Sequence, residues 1–164
     1  MSYRIRPVTV ADVPECVSVI RESFLTVAGE FGITRENAPR FTAFAISPER
    51  LAWQMREGRP MFVCEADGVP VGYFSLEIKN GGVCELNNLA VLPAYRHRGI
   101  GAELLSHAKE EARRRGCTVM HIGIVEENTR LRRWYEAAGF THTGTEKFDF
   151  FPFTCGYMEW KPEK

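Results

Sequence analysis

The 164 residues predict an α/β protein whose central sheet begins antiparallel and becomes mixed. Three observations carry that prediction. Met61 to Ala66 and Val71 to Lys79 are short strand-like runs around Asp67-Gly68, a dipeptide that favours a tight hairpin. Arg96-His97-Arg98-Gly99-Ile100-Gly101 is a glycine-rich turn between a strand-like and a long helix-like segment. Cys117 to Val125 then reads as a strand that must return parallel through that helical crossover.

The elements follow in the order β-α-α-β-β-β-α-β-α-β-β. Residues 3 to 8 form the first strand, and Thr9 caps the next helix with Asp12 three positions on. Val13, Cys16, Val17 and Ile20 give that helix its apolar stripe. Residues 28 to 46 carry no firm pattern. Ser47 and Pro48 then mark a cap and first turn, leading through Leu51, Trp53 and Met55 to Gly58. After the hairpin, Asn80-Gly81-Gly82 makes another turn before the strand Cys84 to Val91, and Pro93 ends its pairing. Ile100, Leu104, Leu105, Ala108 and Ala112 line the long helix, which Arg113-Arg114-Arg115 and Gly116 close. Asn128 caps a helix carrying Leu131, Trp134, Tyr135 and Ala138. With no repeat or linker, a single domain over residues 1–164 is expected.

Lys and Arg together number 21, as do Asp and Glu, so no net field draws nucleic acid or an anionic membrane. No apolar run approaches the ~18 residues of a membrane span, and no signal core follows the amino terminus. A cytoplasmic protein with neither nucleic-acid nor membrane partners is the expectation. The cysteines Cys16, Cys64, Cys84, Cys117 and Cys155 are scattered without a Cys-x-x-Cys pair. They point to buried thiols rather than disulfides or zinc. His97, His107, His121 and His142 lack metal-like spacing, so no metal is expected.

The turn at 96–101 has the composition of an anion cradle. Glycines let backbone approach a ligand closely, and the free N–H groups of the new helix favour negative charge. Arg96 and Arg98 add cations, and His97 is either a neutral donor or an ordinary loop residue. The loop would suit a pyrophosphate, although a plain tight turn uses the same glycines. A dinucleotide fingerprint is excluded because the third glycine is missing, and a P-loop because no Gly-Lys-Ser/Thr follows.

Arg96, Gly99 and Gly101 match an Arg/Gln-x-x-Gly-x-Gly/Ala signature between a strand and a helix. Upstream stands Glu85-Leu86-Asn87-Asn88-Leu89-Ala90-Val91, and downstream Asn128, Trp134-Tyr135 and Gly139-Phe140. In these blocks, covering about residues 83 to 141, the chain resembles the GCN5-related N-acetyltransferase (GNAT) superfamily. Leu131 stands where that family usually has alanine. The resemblance implies a mixed, mostly antiparallel sheet flanked by helices, splayed between strands 83–91 and 117–125 to admit acetyl-coenzyme A. Asn87-Asn88 would suit a bulge at that opening.

It further implies that Leu89, Ala90 and Val91 offer backbone to the pantetheine. Arg96, His97, Arg98, Gly99, Ile100 and Gly101 would hold the pyrophosphate, with Asn128 as helix cap and cofactor neighbour. Glu85 takes the position of a general base acting through water, its alternative being a solvated strand carboxylate. Tyr135 takes the position of the phenol that faces the coenzyme sulfur, whereas Trp134 reads as core. Arg130, Arg132 and Arg133 read as a solvated helix face, the alternative being a second phosphate site with one of them near the adenosine 3′-phosphate. Phe24, Phe31, Phe41, Phe44, Phe148, Phe150, Phe151, Phe153 and Tyr157 could line an amine pocket, or form core and a homodimer interface. The implied activity is acetylation of a primary amine, of a small molecule or a peptide, by direct attack. A non-catalytic acyl-coenzyme A sensor is the alternative, and Glu85 and Tyr135 argue against it.

Overall fold

In a computed structural model, which describes residues 2–163, seven strands form one sheet. They are β1 (Tyr3–Pro7), β2 (Met61–Ala66), β3 (Val69–Ile78), β4 (Val83–Val91), β5 (Val119–Val125), β6 (Thr141–Glu146) and β7 (Cys155–Trp160). Their order across the sheet is β1-β2-β3-β4-β5-β7-β6, and every neighbouring pair is antiparallel except β4 with β5. Asp67 and Gly68 both take the left-handed backbone, φ 50° and 82°, that a two-residue hairpin turn demands.

The helices are α1 (Val13–Phe31), α2 (Thr42–Ala45), α3 (Pro48–Arg56), α4 (Ile100–Arg114) and α5 (Thr129–Ala137). The single turn α2 lies in the stretch that lacked a firm sequence pattern. Side chains alternate along the sheet and divide the core in two. Val63 and Tyr73 face α1 and α3, packing with Cys16, Val17, Ile20 and Leu51. Phe62 and Phe74 face α4 and α5, packing with Leu104, Leu105 and Met120. Gly72 leaves room for α4, since a Cβ there would lie 2.8 Å from Leu104 Cδ1. None of the described helices is long and apolar enough to cross a membrane.

Two features position the site. First, β4 and β5 pair only through Val83↔Val119, Cys84↔Met120 and Glu85↔His121, and then part. Between Tyr73↔Ala90 and Ser75↔Asn87 the register slips by one residue on β4, and Asn88 takes φ 56°. That is the expected bulge, and it bends β4 away from its parallel neighbour. Second, the start of α1 is tied to the sheet. Arg6 donates two bonds to Asp12, at 2.7 and 2.9 Å, and one to Glu65 at 2.8 Å. Asp12 also accepts from the Thr9 N–H at 2.7 Å, completing the expected capping box.

The Arg6 hydrogen bonds hold the Asp12 carboxyl well below its usual range. A depressed folded-state pKa contributes stability that is present above the unfolded value and is lost as pH falls toward the folded one. Asp12→Asn should therefore cost about 1–3 kcal/mol at neutral pH. Its deficit should shrink as pH falls below about 4, where the carboxyl of the unfolded chain begins to protonate while the folded one still holds its charge. Urea melts of both proteins across that range measure this, and a pH-independent deficit would refute it.

Candidate active site

Where β4 and β5 part, a cleft of ≈ 670 Å³ opens, within the usual size of small-molecule sites. One wall is β4, through Leu86, Asn88, Leu89 and Val91, and the other is β5, through Ile122 and Ile124. Pairing between the strands ends at Glu85, so beyond it the inner edge of β4 has no β5 partner for its peptide groups. Ser23 and Thr26 of α1, the 96–101 loop, and α5 complete the walls.

The loop is shaped by backbone conformation. His97 and Gly99 both have positive φ, 63° and 83°, and Gly99 is the N-cap of α4. Gly99 has no side chain with which to cap α4, and among the described residues no other side chain takes that place, so the first N–H groups are left for whatever occupies the cleft. Gly99, Gly101, Ala102 and His97 all border that volume. At Gly101 a Cβ would stand 3.5 Å from the Trp134 ring, so this helix end packs against α5.

The other loop residues divide by role. Ile100 is buried in the core and does not border the cleft. Arg98 lies over the Tyr95 ring at 5.3 Å and does not border the cleft. Arg96 borders the cleft and is also engaged within the protein. Its Nη1 donates to Thr26 Oγ1 at 3.0 Å, its Nη2 to Ser23 O and Oγ at 3.1 Å each, and its Nε to Val91 O at 3.3 Å. The guanidinium thus clamps α1 to the end of β4 rather than standing free for an anion. Burial lowers its pKa.

Leu89 and Val91 border the cleft, whereas Ala90 packs into the core on the α1 side. Asn128 accepts from Leu131 N–H at 3.3 Å as the expected helix cap, and it also borders the cleft. Tyr135 borders it too, almost wholly buried between Trp134 and Phe140. Burial raises the phenol pKa, so Tyr135 stays protonated through the neutral range. Trp134, read as core, is a half-buried part of the cleft wall. Of the aromatic residues proposed for an amine pocket, Phe24, Phe41, Phe151, Phe153 and Tyr157 border the cleft, and Phe31, Phe44, Phe148 and Phe150 do not.

Glu85 lies apart from this group. It is half-buried, 2.9 Å from Lys79 Nζ, in a second and polar recess of ≈ 570 Å³ shared with Asn87, Glu77, Gln54 and three arginines. Arg40, Thr42 and Asn88 border both volumes, so cleft and recess meet at the β4 bulge. Sequence reading missed Ser23, Thr26, Arg40, Gln54 and Arg59, which have no local motif to announce them. Cys84 is buried and borders neither volume, and burial pushes its thiol up to about 12, which disfavours the thiolate. His121 is exposed at the sheet surface, 3.5 Å from Glu159.

The family model described as the acetyltransferase (GNAT) family matches residues 31–140. An uncharacterised N-acetyltransferase from the pepI 3′ region of Lactobacillus delbrueckii subsp. lactis is 24% identical over 153 residues, 88% of each chain. The crystal structure of a Thermoplasma acidophilum PaiA N-acetyltransferase in complex with coenzyme A superposes with a TM-score of 0.85. It is 23% identical, with 99% of this chain and 100% of that one covered. A Salmonella typhimurium structure, yncA, described as an acetyltransferase with its cofactor acetyl-CoA, is 27% identical with a TM-score of 0.73 over 98% and 94% of the two chains.

The Arg96 clamp makes a ligand-free prediction. Arg96→Ala should lower stability by about 1–3 kcal/mol in the absence of any ligand, because it strands partly buried acceptors on α1 and β4. Arg96→Lys should recover little of this, since an ammonium cannot reproduce the fork. Equal melting of all three proteins would show that the clamp contributes nothing.

Proposed function

The chain belongs to the acetyltransferase (GNAT) family, and from that premise we propose that it moves the acetyl group of acetyl-coenzyme A onto a primary amine by direct attack. The observation that carries the reading is the convergence on one cleft of a parted strand pair, an uncapped helix N-terminus and a protonated tyrosine. The 27% identical Salmonella protein described with acetyl-CoA supports the choice of cosubstrate.

The residues suit that molecule. The bare N–H groups at the start of α4 are donors for a pyrophosphate, and the open edge of β4 near Leu89 and Val91 offers peptide groups to a pantetheine arm. His97, Gly99 and Gly101 shape the phosphate end, and Asn128 borders it from α5. Arg96 assists by holding α1, β4 and the loop in register, and Arg98 and Ile100 by fixing the loop's outer and core sides. Acetyl-coenzyme A supplies an activated thioester carbonyl.

Glu85, reached through water, takes the proton that the amine sheds as its C–N bond forms. Tyr135 donates to the sulfur as the C–S bond breaks and negative charge develops there. Since both reactants are held together, much of the entropic cost of their meeting is met on binding. Backbone N–H groups can stabilise the carbonyl oxygen as it gains charge.

Free-thiol release from acetyl-coenzyme A across an amine library tests the reading. Coenzyme A that raises the melting temperature, with no thiol released by any amine, would favour a sensor instead. Tyr135→Phe should slow single turnovers by about tenfold or more while leaving coenzyme A affinity close to wild type. An unchanged single-turnover rate would leave Tyr135 a packing residue. Glu85→Gln should depress turnover most at pH values where the acceptor is an ammonium, with partial recovery as pH rises and the amine deprotonates itself. A loss of equal size at every pH would assign Glu85 to positioning the acceptor.

A further inference from the structure

The recess beside β4 holds more positive charge than it neutralises. Arg40, Arg50 and Arg59 line it, against the carboxylates of Glu77 and Glu85. Both carboxylates already have cations, Glu77 with Arg59 at 3.5 Å and Glu85 with Lys79 at 2.9 Å. Arg40 lies over the Phe150 ring at 4.4 Å, a stack that leaves the in-plane N–H groups of a guanidinium available. The Arg50 guanidinium has no ion pair or hydrogen bond among the described residues, and only its backbone N–H is used, in capping to Ser47. Two arginines therefore present unspent donors to one volume.

A second observation is independent of charge. Gln54 stands one helical turn after Arg50 on α3, so both point to the same side. It lines the recess and is only 5% exposed, and its Oε1, itself sealed from solvent, has no hydrogen-bond partner among the described residues. Buried acceptors are nearly always paired in native proteins. Turning the Gln54 amide into the recess would satisfy this acceptor with a ligand that brings an N–H or O–H donor together with an anion for the two open guanidinium groups. A dianion would meet Glu77 and Glu85 at short range, so the charge balance favours a single carboxylate.

The connection to the cleft completes the geometry. Arg40, Thr42 and Asn88 border both volumes, and Glu85 and Asn87 face the recess from β4. A molecule anchored by its anion at Arg50 would extend its amine past Glu85 toward the bulge at Asn88, where the cleft begins. We propose that the acceptor is an amine that also carries a carboxylate, of amino-acid size, recognised by Arg50 and Arg40 with Gln54 accepting from it. This rests on the acetyl-transfer reading above.

The test uses the common L-amino acids and their matching amides. Thiol release from acetyl-coenzyme A reports turnover, and thermal shift of the coenzyme A-saturated protein reports binding. At least one acid should exceed its amide in kcat/KM by about tenfold or more, the usual worth of a charge-assisted contact. Arg50→Gln should raise KM for that acid by a similar factor, leave the amide unchanged and so close the gap. Arg50→Lys should restore part of it, and Arg56→Gln, on an exposed residue of the same helix, should change nothing. Because the Arg50 side chain has no partner among the described residues, these variants should melt like wild type. A preference for amides, a gap that survives Arg50→Gln, or no binding by any acid would overturn the proposal. Arg50-dependent binding of acids without thiol release would uphold the carboxylate site while overturning acetyl transfer. Acetylation of amines without regard to carboxylate or Arg50 would do the reverse.

Discussion

The parting of β4 from β5 after Glu85 and His121 governs how the rest of this molecule is arranged. A sheet that abandons its ladder leaves peptide groups without partners, each costing about 1–3 kcal/mol if buried and unpaired. The molecule keeps that gap open to the cleft and limits its reach. Above it, β5 turns its other edge to β7 over six register pairs, Met120↔Trp160 to Val125↔Cys155, and stays in the sheet. On β4 the bulge at Asn88 takes up the divergence, while pairing to β3 resumes at Ala90 and Val91.

Keeping the gap at a useful width requires support from outside the sheet. Arg96 supplies it by reaching from the glycine loop to Ser23 and Thr26 of α1 and to the carbonyl of Val91. α1 can bear that load because its other end is fixed through Asp12 and Arg6 to β1 and β2. On the opposite side Arg130 of α5 pairs with Glu30 of α1, a second tie across the opening. A cation in the loop thus contributes to the shape of the cleft, and the helix N-terminus beside it is left to meet anions.

Much of the fold was legible because the signals were local. The Asp67-Gly68 turn, the Thr9–Asp12 box, the Ser47 and Asn128 caps and the left-handed Gly99 and Gly116 each follow from backbone preferences within a few residues. The segment from Gly32 to Ile46 was not legible. Its short α2 packs against α1, and Ala38, Phe41 and Ala43 enter a small core with Phe153, more than a hundred positions away in the chain. Nothing within the segment itself encodes that partner.

The site divides in the same way. The order of motifs around Glu85, Gly99 and Tyr135 was enough by itself to bring out the family and the strand–loop–helix that shapes the cleft, because glycine conformation and helix ends are written locally. What those side chains touch was decided only in three dimensions. Whether Arg96 meets a ligand or Ser23 depends on α1, seventy positions upstream. Whether Glu85 shares a volume with Tyr135 depends on which side of β4 each element covers. The charged recess of Arg40, Arg50, Gln54, Arg59 and Glu77 exists only because α3 and the chain before it fold over the end of β3 and β4. Hydrogen bonds and ion pairs act over a few ångströms, so they answer to neighbours in space, and those neighbours are set by packing rather than by adjacency in sequence.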